Sequence, residues 1–248
     1  RAELPTVTAD QAAKFVGLPR ASTGRMLARL AAKGWLYRVR RGLYTRVPLG
    51  AVSPQAGVED PWLVAAALFE PGYVSGWSAA EHWDLTEQIF NAISVVTATP
   101  QRTKSQHHGG ISFYVRTVKP TALFGTKKIW HGSSHVLVAD PSRLLIDILN
   151  ASDLGGGIRH VLDVVRNYWR SQHASPDLLL DYAEKFGVGA VYKRLGFTAE
   201  LFAQPTDEWV ARCRAGMSAG LSRLDPTGPN RGRVVTKWRL RINTPVEP

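Results

Sequence analysis

Three glycines divide residues 6–47 into pieces too short to fold except against one another: Gly17, Gly34 and Gly42. The stretch 6–19, "TVTADQAAKFVGLP", reads as a helix with Thr8 as N-cap, and Gln11 three positions on completes a capping box. Gly17 and the Leu18-Pro19 pair end it and turn the chain. A second helix is expected from Arg20 to about Lys33, with Leu27, Leu30 and Ala31 as its apolar stripe and Gly34 as its stop. Trp35, Tyr37 and Val39 then alternate with Leu36, Arg38 and Arg40, the period of a strand. Arg41-Gly42 can turn that strand, and "LYTRV" (43–47) returns antiparallel. Helix, tight turn, helix and hairpin is the order of a winged helix-turn-helix. The first helix of a three-helix version would precede residue 6. The chain starts at Arg1 rather than Met, so part of the natural N-terminus is expected ahead of it.

Charge is distributed to match. Residues 21–46 hold seven Lys or Arg and no acid, and residues 1–48 hold ten against Glu3 and Asp10, a net +8. Residues 49–225 are balanced at −1, and residues 226–248 return to +4. A basic surplus confined to one segment is the electrostatic footprint of a nucleic-acid-binding module, whereas the bland reading is a solvated basic face. On the second helix, Ser22, Arg25 and Arg29 lie at i, i+3 and i+7, away from Leu27 and Leu30. Such a helix can enter a major groove of about 12 Å width and offer arginines to guanine edges. Arg40 and Arg41 at the hairpin tip would reach the adjacent backbone or minor groove.

Beyond Pro48 the pattern changes. Residues 49–60 read as a linker that leads into an N-cap at Asp60-Pro61, so the expected division is a winged helix over 1–48, the linker, and a larger mixed α/β domain over 61–248. Helices are expected at about 61–69, from near Ser78, and at 142–151, 158–169, 176–186, 187–195 and 207–215. Strands are expected at 92–98, 111–118 and 135–139, and the basic run "NRGRVVTKWRLRIN" (230–243) reads as one more. Its Arg231, Arg233, Lys237, Arg239 and Arg241 either guard a sheet edge or form a phosphate- or RNA-facing surface. The fold class is therefore α/β (α+β), beginning with a winged helix.

Several chemistries lack their residues. One Cys, Cys213, excludes an internal disulfide framework and suits a reducing cytoplasm. No run approaches the roughly 18 apolar residues of a membrane span. His131 and His135 are four apart across a loop-like Gly-Ser-Ser, without the helical geometry or acidic partner of a zinc motif. "HGSSHVLVAD" begins faintly like a nucleotidyltransferase, but that reaction needs paired carboxylates for Mg²⁺, and no D-x-D or D-x-E occurs. No G-x-S-x-G and no complete P-loop is present. No catalytic, cofactor or metal residue is assigned, and the expectation is a protein that is not an enzyme.

"KGWLYRVRRGLYTR" (33–46), "YVSGWSAAEHWDLTEQ" (73–88) and "VADPSRLLIDIL" (138–149) together resemble successive blocks of the AbiEi family, antitoxin components of bicistronic toxin–antitoxin, or abortive-infection, operons. The resemblance implies a winged-helix domain that represses its own promoter at inverted repeats, and a C-terminal domain that counteracts a nucleotidyltransferase-like toxin, directly or indirectly. By position in the motif it extends the DNA-contacting set to Arg20, Ser22, Arg25, Arg29, Arg40 and Arg41. It implies no cofactor and no membrane. The Ser75–Trp83 and Asp140–Asp147 blocks have the apolar spacing of core. The competing reading is a plain winged-helix regulator whose C-terminal domain senses a ligand or partner; a nucleic-acid-acting enzyme is a third.

Overall fold

The computed structural model describes residues 6–47, 60–132 and 134–246. The expected linker lies outside them apart from Asp60, as does any helix before residue 6. Among the described residues the chain is a mixed α/β protein of nine helices and three sheets, and it divides into two compact units. The first takes the described residues up to Val74 together with Asn91–Val118 and Lys128–Val138, and the second takes the rest.

The first unit opens with β1 (Thr6–Thr8), α1 (Ala9–Val16), α2 (Arg20–Ala32), β2 (Leu36–Arg40) and β3 (Leu43–Arg46). Thr8 caps α1 as expected: its Oγ1 accepts from the Gln11 backbone at 3.1 Å, and the Gln11 side chain accepts from the Thr8 backbone at 2.8 Å. Gly17 closes the helix in the left-handed conformation at φ 71°, which a residue without Cβ adopts freely. Residues 6–8 are a strand rather than helix. They pair antiparallel with β3, Val7 opposite Tyr44, giving the order β1-β3-β2. Ala9, Ala12, Leu27 and Tyr44 form the small core beneath α1 and α2, with Val7, Ala31 and Leu36 around it. β3 is buried on both faces, through Leu43, Tyr44 and Thr45. Helix α3 (Pro61–Leu68), capped by Asp60 as expected, also packs against β1 and β3.

The same unit carries a six-stranded mixed sheet from β4 (Gly72–Val74), β5 (Ala92–Thr97), β6 (Ser105–His108), β7 (Ile111–Thr117), β8 (Thr126–His131) and β9 (Ser134–Ala139), in the order β6-β7-β5-β4-β9-β8. β5 runs parallel to β7 and antiparallel to β4, while β6 forms an antiparallel hairpin with β7. Two of these strands had no signal in the sequence. β4 is three residues long, and β6, "SQHH", is a polar edge strand with no apolar alternation.

The second unit is mainly helical: α4 (Gly76–His82), α5 (Pro141–Asn150), α6 (Ile158–Arg170), α7 (Pro176–Phe186), α8 (Gly189–Phe202) and α9 (Asp207–Ala215). α8 runs a full seven residues beyond the expected stop at 195. α5 is buried from Pro141 to Leu149. The two sequence blocks around Ser75 and Asp140 meet here as core. Ser75 Oγ donates to Asp147 Oδ2 at 2.8 Å, and Arg143 Nη2 donates to Asp147 Oδ1 at 2.8 Å, with Arg143 fully buried. The Arg143 guanidinium also lies 4.2 Å from the Phe124 ring centroid and 4.8 Å from that of Phe186.

The basic C-terminal run is not one strand. β11 (Arg233–Val235) and β12 (Leu240–Ile242) flank a 3₁₀ turn at Thr236–Trp238, and both join β10 (Ser222–Arg223) in the order β10-β12-β11. The break has a cause: Trp238 is fully buried, and its indole Nε1 donates to Glu200 Oε2 at 2.7 Å. Burying that ring turns the backbone out of extended form, leaving Arg239 left-handed at φ 47°.

Candidate nucleic-acid interface

Helix α2 is held by one face. Leu27 and Thr23 are buried, and Thr23 Oγ1 donates back to the Pro19 carbonyl at 3.2 Å, which fixes the first turn. On the opposite face Arg25 and Arg29 are exposed one turn apart, and Ser22 accepts from Arg25 Nη2 at 3.2 Å. That bond orients one guanidinium along the helix. An open depression of about 580 Å³ follows this face, lined by Ser22, Arg25, Met26, Arg29, Leu30, Ala32 and Lys33, so Leu30, expected on the side away from the arginines, borders their face instead. Guanidinium forks around an apolar floor suit base edges, which offer guanine acceptors and a thymine methyl side by side. Met26 and Lys33 carried no sequence argument of their own; they fall on the face because 3.6-residue periodicity puts them beside Arg29 and Leu30.

Arg40 and Arg41 are exposed at the β2–β3 turn, where Gly42 sits at φ 81°. The pairing of β2 with β3 shifts register between Arg38 and Arg40, a bulge that re-aims the side chains ahead of the tip. Among the described residues no carboxylate pairs with Arg25, Arg29, Arg40 or Arg41. Arg20 differs: its Nε lies 2.8 Å from Asp10 Oδ1, both exposed. The structure therefore gathers Ser22, Arg25 and Arg29 on one helix face and Arg40 and Arg41 at the wing tip. Arg20 sits at the helix entry with a partner already in hand.

Three of the C-terminal basic residues have partners within the chain. Lys237 pairs with Glu200, Arg239 Nη1 reaches the Ser218 carbonyl at 3.4 Å, and Arg241 Nη1 reaches that of Gly232 at 3.2 Å. Arg231, Arg233, Lys237 and Arg239 are exposed. Cys213 is buried, which pushes its thiol up to about 12. Among the described residues no three His, Cys, Asp or Glu side chains converge as metal ligands, and no helix is long and apolar enough to cross a membrane.

A helix–turn–helix with exposed arginines on its second helix, backed by a basic hairpin, is the architecture of a winged helix. Residues 1–47 match the family model described as "Transcriptional regulator, AbiEi antitoxin", which bears out the resemblance read from the sequence over that segment. No curated protein matches the chain. Among solved structures, the crystal structure of the RV2827C protein from Mycobacterium tuberculosis is similar at a TM-score of 0.62. That match covers 95% of this chain and 85% of the other at 15% identity, a likeness of fold.

Proposed function

We propose that this protein is the antitoxin and autoregulatory repressor of a toxin–antitoxin operon, acting in the cytoplasm. Residues 6–47 bind inverted repeats in its own promoter, with Arg25 and Arg29 reading base edges, Ser22 orienting Arg25, and Arg40 and Arg41 on phosphates. Arg20 joins them on leaving Asp10. The region from residue 61 onward counteracts a nucleotidyltransferase-like toxin, directly or indirectly. No catalytic step is assigned to this chain. Of its C-terminal basic residues, the exposed Arg231, Arg233, Lys237 and Arg239 are offered to a partner. The observation that carries the DNA reading is the Arg25–Arg29 face, exposed opposite a buried Thr23–Leu27 face with no carboxylate among the described residues to neutralise it.

The test uses the full chain. Arg25→Ala with Arg29→Ala is expected to derepress a reporter driven by the protein's own promoter. The same variant is expected still to restore growth to cells expressing the toxin encoded beside it. Loss of protection together with repression would mean the two roles are not separable.

One observation favours the plain regulator that senses a ligand. A depression of about 620 Å³ in the second unit is lined by Trp169, Pro176, Pro205, Thr206, Trp209 and Arg212, among others, and the buried Trp169 Nε1 has no hydrogen-bond partner among the described residues. A chain that represses its promoter but never protects against the neighbouring toxin would select that reading.

A further inference from the structure

Counted over 1–48, 49–225 and 226–248, the charge of the middle of the chain averages to nothing, and the average hides a run. Residues 88–139 contain no Asp or Glu, but they contain Arg102, Lys104, Arg116, Lys119, Lys127 and Lys128 and four histidines. This run builds β5 to β9, most of it in the unit that holds the winged helix. The described part of that unit has thirteen Lys or Arg against Asp10, Asp60 and Glu70, a net +10. Two of those carboxylates are engaged locally, Asp10 with Arg20 and Asp60 with the α3 N-terminus and His131. The second unit, by contrast, has seventeen basic and fourteen acidic residues among those described.

Placement gives the run a direction. The β6–β7 turn lies against the wing: a methyl on Gly109 would stand 3.1 Å from Tyr37 Cε1 and 3.6 Å from Val39 Cγ1. Gly109 is left-handed at φ 62°, so the turn needs glycine both for its backbone and for this approach. His108 at the end of β6 is close enough to the wing for Arg40 to act on it; burial first, then the Arg40 guanidinium and His107, hold its imidazole below the ordinary range. Arg102, Lys104 and His107 are exposed along this hairpin and the approach to it.

We propose that the β6–β7 hairpin is a second phosphate-contacting lobe beside the wing, with Arg102, Lys104 and His107 gripping the same DNA duplex that α2 enters. The inference rests on the DNA-binding reading above. The plainer account is that these charges merely keep an edge strand from pairing with another chain. Edge protection needs charge of either sign, however, and does not require an acid-free run docked on the basic wing.

The experiment measures the full-length protein by fluorescence anisotropy over a series of salt concentrations, on a duplex from its own upstream region and on a scrambled duplex of equal length. Arg102→Ala with Lys104→Ala is expected to weaken binding by similar factors on both duplexes. The slope of log affinity against log salt should become shallower by about two, since each lost phosphate contact removes about 0.9. Arg102→Lys with Lys104→Arg, which keeps both charges, should bind as the parent does. As a check that needs no variant, Lys104 of the parent protein should become resistant to amine acylation when saturated with duplex. Unchanged affinity and slope in the alanine variant, or undiminished Lys104 labelling in the complex, would overturn the hairpin lobe while leaving α2 and the wing intact. A parent protein that binds neither duplex would overturn both readings.

Discussion

Arginine does opposite work in the two units. On α2 and the wing, Arg25, Arg29, Arg40 and Arg41 stand in water with no carboxylate partner among the described residues. In the helical unit Arg143 is fully buried on Asp147 and two phenylalanine rings, and Arg194 is buried with Nη1 on the Leu149 carbonyl at 2.8 Å and Nε on that of Arg223 at 2.9 Å. Burial lowers the Arg194 pKa to about 10, which still leaves it cationic near neutrality. A charge left in water adds little to folding and remains available to a polyanion. A charge taken out of water must be matched where it lies, so it becomes part of the fold. The residue type is the same, and solvation decides whether it is open to a ligand or part of the fold.

The sharpest way to break this comparison is at Arg143. Arg143→Met should destabilise the protein by about 3–5 kcal/mol in a denaturant titration, because Asp147 would keep a buried charge without its cation. A loss below about 1 kcal/mol would show that the buried pair is not matched as described. Next in size is Gly196→Ala in α8. A methyl there would come within 2.0 Å of the buried Trp238 ring, and the overpacking should cost about 1–3 kcal/mol and expose the C-terminal sheet to proteolysis.

In the other region the same measurements should register almost nothing while binding moves. Arg25→Ala and Arg29→Ala should each leave stability within about 0.5 kcal/mol of the parent. Each should weaken binding to the promoter duplex by about 1–3 kcal/mol where it reads a guanine, as judged by competition against scrambled DNA. Gly24→Ala, also on α2, should stabilise by up to about 1 kcal/mol in thermal melts, since a methyl there meets nothing within 4 Å and glycine is a poor helix former. The smallest effect belongs to Asp10→Asn. The exposed pair with Arg20 contributes at most about 1 kcal/mol, and releasing Arg20 should tighten DNA binding slightly at low salt.

The winged helix was legible because its signals are local. Thr8 and Gln11 meet within one turn, Gly17 and Gly42 take left-handed backbone where the reading needed turns, and Asp60 and Asp140 cap the helices they precede. The strand at 6–8 was not legible, because three residues of "TVT" gain their pairing only from Tyr44 and its neighbours far along the chain. The same holds for β6, whose polar side chains follow no pattern and whose place is set by β7. The C-terminal run misled for a different reason. Its alternation is that of a strand, but a non-local partner, the Glu200 carboxylate beside a pocket opened by Gly196, draws Trp238 inward and bends the chain.

By itself the sequence determined the order of local elements, their caps and turns, the basic character of residues 21–46 and the want of paired carboxylates, all of which depend on neighbours within a few positions. Tertiary structure alone decided which charges are bare and which are buried. It took Arg143 into the core, joined Arg20 to Asp10, engaged three of the five C-terminal cations, and set the β6–β7 turn against Tyr37 and Val39 of the wing. Solvation depends on everything that packs around a group, and that is a property of the folded chain rather than of any window along it.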